Sequence, residues 1–227
     1  SAVGNQVQIP SGFVVIDCKG KFIYPSFIDI YADYGMPALP RTQGGFNFNA
    51  PLQFLSNQKG PFGWNQSIRT DVNAAHLFAA DDAKAKTWRD MGFGTALVHQ
   101  RDGIARGTGA VVTFGNDREN KLIVKDKASA HYSFSKGTSA QSYPGSLMGS
   151  IALLRQTYLD AAWYKSNPSA EGINLTLKYW NETQLLPQIF EANDKWNVLR
   201  ADKIGDEAGV QYIIKANGNE YQRINEM

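Results

Sequence analysis

The sequence predicts an α/β protein built on a parallel sheet, and three observations carry that expectation. An apolar strand, an amphipathic helix and a second apolar strand follow one another between Phe27 and Val98. The same alternation returns between Trp196 and Lys215. The composition of the 227 residues, 43% hydrophobic and 19% charged, is that of a globular chain with a thinner charge coat than average. It also narrows function. A net charge of +2 argues against electrostatically driven nucleic-acid binding. No apolar run approaches the roughly 20 residues that span a bilayer. Cys18 is the only cysteine, so an internal disulfide and any CxxC motif are excluded. With His76, His99 and His131 as the only histidines, imidazole-built metal sites are severely limited.

Taken in order, Phe13-Val14-Val15-Ile16 and Lys21-Phe22-Ile23-Tyr24 read as strands around a Lys19-Gly20 turn, with Cys18 an inert residue beside it. Phe27-Ile28-Asp29-Ile30-Tyr31 reads as a buried parallel strand. The stretch Gly35–Asn65 is rich in Gly, Pro, Asn and Gln, yet it carries Phe46, Phe48, Phe54, Phe62 and Trp64. So many rings predict an ordered, packed excursion, a lid or an interface, rather than a flexible linker. Asp71 or Asn73 caps a helix whose apolar face is Ala74, Leu77, Phe78, Ala85 and Trp88, and Gly92 ends it. Phe93–Val98 is the next buried strand.

Gly109–Phe114 and Leu122–Val124 read as a short inserted hairpin. After a Ser/Gly-rich stretch, Leu147, Ile151, Leu154, Tyr158 and Ala161 mark a long helix that Asn167-Pro168 stops. Helical spacing resumes over Leu175–Leu185, and Pro187 breaks it. Trp196–Leu199 reads as a strand, Asp202–Ala208 as a helix, Val210–Lys215 as a strand and Asn219–Met227 as a helix. The chain opens at Ser1 and stops inside that last helix, so both ends read as cuts.

Motifs of broad use are missing their context. Gly103 and Gly107-Thr108-Gly109 match neither a P-loop nor a dinucleotide fingerprint, and are read as turn glycines. Ser133-Phe134-Ser135-Lys136 matches S-x-x-K, but no S-D-N or K-T-G follows. His99 ends a predicted strand close to Asp102, which makes the two a candidate polar site at a strand C-terminus.

One stretch carries more. Val15-Ile16-Asp17-Cys18-Lys19-Gly20-Lys21-Phe22-Ile23-Tyr24-Pro25-Ser26-Phe27-Ile28-Asp29 resembles the entry signature of the amidohydrolase superfamily, roughly ID-x-x-G-x-x-x-x-P-G-x-I-D-x-H-x-H. Phe93–Val98 looks like the family's second strand. Val198–Ala201, Val210–Ile214 and Asn217-Gly218 resemble the fifth and sixth strands of its imidazolonepropionase-like branch. The resemblance implies a partial (β/α)8 barrel over residues 25–227, entered from the end of a small β-sandwich over residues 1–24. It also implies hydrolysis of C–N bonds in cyclic amides or peptides through metal-activated water.

The departures from that pattern fall on the metal ligands. The two His of the entry motif are Tyr31 and Asp33 here. The ligand after the fifth strand falls on Arg200, and that after the sixth near Asn217 or Gly218. Arginine repels a cation, and zinc needs imidazole, thiolate or carboxylate. The expectation is therefore a segment that binds no metal or other cofactor itself and serves as a structural or binding module. Its vestigial pocket would be Tyr31, Asp33, Arg200 and Asn217, with Arg200 pairing Asp33. The alternatives are an active enzyme whose zinc or other divalent metal is held by residues outside this segment, or an interaction subunit. Expected partners are the remainder of its own polypeptide or a second module, and a protein at the Phe46–Trp64 loop.

Overall fold

The computed structural model describes Gly4 and residues 7–40, 50–170 and 172–226. Six strands form one sheet in chain order: β1 (Phe27–Ala32), β2 (Phe93–Val98), β3 (Ala105–Thr113), β4 (Ile123–Ser133), β5 (Gln188–Glu191) and β6 (Ile213–Lys215). β1 and β2 are parallel, β3 is antiparallel to both β2 and β4, and β4, β5 and β6 are parallel. Five strands thus run one way and β3 runs back between them. The sheet curls: the Lys215 ammonium of β6 lies 5.4 Å from the ring centre of Tyr31 on β1, at the other end of the strand order. The fold is a mixed α/β, barrel-like sheet. The hairpin expected from Gly109 is longer than its apolar residues suggest, and its strands are members of the main sheet rather than an insertion.

Helices α1 (Ala74–Leu77), α2 (Asp82–Asp90), α3 (Glu119–Leu122), α4 (Leu147–Ser166), α5 (Leu175–Thr183) and α6 (Lys195–Ala208) complete the chain with a 3-10 segment, Glu220–Glu226. Two apolar clusters hold them to the sheet. Leu153, Leu154, Trp180, Phe190, Val198 and Ile204 join α4, α5 and α6 to β5. Ala85, Val98, Val112 and Phe114 join α2 to β2 and β3, with Tyr34 packed alongside. Burial of each large side chain is worth about 1.5–3 kcal/mol.

Three expected elements come out differently. The helix read from Ala74 to Trp88 is two helices, because the backbone after β1 wedges against it. Ala79 N–H donates to the Gly35 carbonyl at 2.9 Å, and Asp81 recaps α2 by accepting from Lys84 N–H at 3.0 Å. Gly35 sits at φ +72°, and a Cβ there would meet the Phe78 ring at 2.5 Å. Trp196–Leu199 is helical, not a strand. Asp194 caps the N–H groups of Trp196 and Asn197 at 2.9 and 3.0 Å, and α6 runs unbroken to Gly209 in the left-handed region. Phe13–Ile16 and Lys21–Tyr24 are exposed and outside any ladder.

The aromatic excursion is tethered by its backbone more than by its rings. Gln141, 1% exposed, donates to the carbonyls of Gln53, Leu55 and Trp64 and accepts from Gln66 N–H. Of the described rings Phe54 is 68% exposed, Trp64 packs between Phe54 and Tyr143 at 38% exposure and Phe62 is half-buried, so the expected packing is only partial. Phe46 and Phe48 lie outside the described residues. No helix among the described residues is long and apolar enough to cross a membrane.

Candidate functional site

The C-terminal ends of the co-directional strands converge on one polar cluster. Because β3 runs backwards, its first residues lie at this same mouth, and Arg106 enters it almost wholly buried, 4% exposed. Its Nη1 lies 2.8 Å from a Glu191 carboxylate oxygen and donates to the Tyr31 hydroxyl at 2.8 Å. Its Nε donates to the Gly103 carbonyl at 3.2 Å. Glu191 ends β5, and Lys215, ending β6, approaches its other oxygen at 3.7 Å. Arg101 lies over the Tyr31 ring, 5.0 Å from its centre, and donates to the Tyr31 carbonyl at 2.8 Å.

These contacts set the charge states. Burial and the neighbouring Glu191 push the Tyr31 phenol up to about 12 against the opposing pull of Arg106, so it stays protonated. Burial alone would raise the Glu191 carboxyl; Arg106, the Tyr31 hydroxyl and Lys215 outweigh it and hold the group below its usual value. Glu191 is therefore a carboxylate with its attraction already taken up.

Beside Arg106 lie two buried imidazoles. His99, just beyond β2, and His131 of β4 stack with ring centres 3.7 Å apart and planes 4° from parallel. His131 Nε2 is 2.8 Å from the Ser129 hydroxyl, while His131 Nδ1 and both nitrogens of His99 have no partner. Burial, then the charge of Arg106, lowers His131 to about 3. Burial, then His131 and Arg106, lowers His99 strongly as well. Both rings are neutral at pH 7. Gly109 makes room for them, since a Cβ there would come within 2.7 Å of both His131 Nε2 and the Ser129 hydroxyl.

Of the residues singled out in the sequence, Tyr31 and His99 are in this cluster, their ring centres 4.5 Å apart. Asp33 stands exposed at its rim, 3.7 Å from Arg101 rather than paired with Arg200. Arg200 is exposed on α6, where its Nη1 donates to Asn197 Oδ1 at 3.0 Å. The reason is local: the segment expected as a strand is a helix, so Arg200 is not at a strand end. Asn217, past β6, donates to the Asn193 carbonyl. His99 and Asp102 are not brought together. Asp102 pairs with Arg69 and accepts from the Thr138 N–H and hydroxyl at 2.6 and 2.7 Å.

Arg106, Glu191 and His131 were not picked out as candidates. The signal for Glu191 is an acid closing the apolar pair Ile189-Phe190 just after Pro187. Nothing in sequence marks Arg106, whose place depends on the reversed strand.

At the mouth three cations, Arg101, Arg106 and Lys215, surround two carboxylates, and the imidazoles are stacked on each other rather than convergent. Among the described residues no group of three or more His, Cys, Asp and Glu is placed to hold a metal ion.

No family model matches the chain, and no curated protein matches it in sequence. Among solved structures it is similar to an amidohydrolase from Thermotoga maritima MSB8, with a TM-score of 0.66 and 18% identity. That alignment covers 94% of this chain and 56% of the Thermotoga chain, so the protein spans little more than half of its neighbour's length. At that identity the likeness is one of architecture, and it gives this chain an amidohydrolase-like fold.

Proposed function

We propose that this chain is a non-catalytic barrel module of an amidohydrolase-like protein, related in architecture to the imidazolonepropionase-like branch. In this reading the Arg106 guanidinium provides at the mouth the positive charge that a divalent ion provides in metal-dependent barrels. The buried contact of Arg106 with Glu191 and Tyr31 is the observation that supports it. A fixed cation with planar donors satisfies an anionic carboxylate without a metal. It polarises no water, because an arginine has no open coordination position to offer one. The module then serves structure or binding, and hydrolysis in the intact protein belongs to another module.

Metal analysis of the purified protein, paired with Arg106→Met, tests this. The expected result is no stoichiometric metal bound through Glu191 or Asp33, and no change in metal content in the variant. One equivalent of zinc or a similar ion that is lost with Glu191→Gln would overturn the reading.

A further inference from the structure

A second polar site lies outside the Arg106–Glu191 cluster, beside β3 and β4. A cleft of about 210 Å³ opens between residues 70–76 and helix α5, toward the N-terminal ends of β4 and β5. Asn73 and Thr108, joined by an isolated bridge, line it, and they are 8% and 4% exposed. Asn73 Nδ2 and Thr108 Oγ1 are both buried without a hydrogen-bond partner. Unsatisfied buried polar atoms are costly and are kept where something else completes them. Around the cleft stand Asp71, Glu182, Lys127 and His76, and Asp71 accepts a hydrogen bond from the Gln58 amide at 3.2 Å. Lys127 has φ +46°, a left-handed conformation unusual for a residue with a Cβ, at an irregularity of the β3–β4 ladder. It faces Glu182 at only 3.9 Å, and both side chains are about half exposed. So loose a pair contributes little by itself and leaves both charges open to a ligand.

From this arrangement we propose that the cleft binds a small zwitterion of the free amino-acid class. The ligand carboxylate would face Lys127 and the Asn73 amide donor, and its ammonium would lie between Asp71 and Glu182. Two carboxylates against one ammonium favour a ligand that brings a cation of its own together with an anion, rather than a simple anion. A neutral polyol could satisfy Asn73 and Thr108 but would leave the charges unused. The site is independent of the metal question at the mouth.

Calorimetric titration of the full chain with glycine, L-serine, L-glutamine and L-glutamate in turn provides the test. N-acetyl-L-glutamine, L-glutaminamide and glucose serve as probes lacking the ammonium, the carboxylate or both. The expected result is saturable binding of at least one amino acid. Removal of either ligand charge should weaken it by about tenfold or more, as should Lys127→Met or Glu182→Gln. Both substitutions are at half-exposed side chains, so the fold is retained, and Thr108→Val tests the buried hydroxyl separately. No saturation by any of the four amino acids up to about 10 mM would overturn the proposal. So would equal binding of glucose, or affinity unchanged in both charge variants.

Discussion

Arg106 shows how much one side chain can depend on its partners. Replacing it alone by Met strands Glu191 at 17% side-chain exposure, and the expected loss is about 3–5 kcal/mol in urea denaturation. The double variant Arg106→Met, Glu191→Leu removes both charges and should recover most of that loss, because apolar replacements of a buried pair are often neutral. If the double variant is as unstable as the single one, the pair is not the source of the effect. The stacked histidines make a pH prediction of definite sign. In the folded chain both are neutral well below their ordinary value, whereas unfolded histidine takes up a proton near pH 6.5. The unfolded state therefore binds more protons below that pH, and stability falls as pH drops from about 6.5 toward about 3. The slope approaches about 1.4 kcal/mol per pH unit for each ring. Between pH 6.5 and 5 it belongs to the histidines, because Glu191, held low in the folded state, adds its own loss only around and below its unfolded value of about 4.3. The fall of the urea midpoint from pH 7 to 5 should be about half as steep in His99→Phe, where His131 alone remains, and an unchanged slope would refute the assignment.

At the scale of elements, legibility followed local signals. The helix α4 is plain because its apolar residues from Leu147 to Ala161 repeat over about four turns and Asn167-Pro168 stops it. β1 and β2 are plain as apolar runs, although β1, expected to be buried, leaves Phe27, Ile28 and Ile30 exposed. β5 is not plain, since four residues between Pro187 and Ala192 show no period, and its identity comes from pairing with β4. The start of α6 reads as a strand in sequence because Trp196–Leu199 is locally strand-like, while the deciding residue, Asp194, is a polar cap outside the apolar pattern. Asp194→Ala should cost about 1 kcal/mol in thermal or chemical denaturation, with helicity lost first around Lys195. A neutral outcome would mean that tertiary packing, not the cap, sets that end. At the mouth Tyr31 and His99 are legible, each near the end of an apolar strand; Arg106, His131, Glu191 and Lys215 come from separate strands and meet only through the sheet.

For the whole molecule, the strand order leaves β1 and β6 at the ends of the ladder. Phe27, Ile28 and Ile30 of β1 are each at least 60% exposed, as are Phe22, Ile23 and Tyr24 before it. An apolar strip of that kind on a sheet edge seeks cover. The isolated chain is therefore expected to self-associate in analytical ultracentrifugation, and Ile28→Lys with Ile30→Lys should shift it toward monomer. A cooperatively melting monomer at all concentrations would count against this.

The reversed direction of β3 also bears on the order of folding. β2, β3 and β4 form a meander closed by short connections, whereas β5 joins β4 only after α4 and α5 have been crossed. Short loops close sooner, so the meander is expected to nucleate and the parallel pairing to follow. Val112→Ala in β3 should slow refolding, while Ile189→Val in β5 should mainly speed unfolding. The reverse pattern in stopped-flow chevrons would place the nucleus elsewhere. Arg106 then waits on the early hairpin for an acid that arrives with the late strand. In that order the buried guanidinium gains its carboxylate only when the parallel half of the sheet docks.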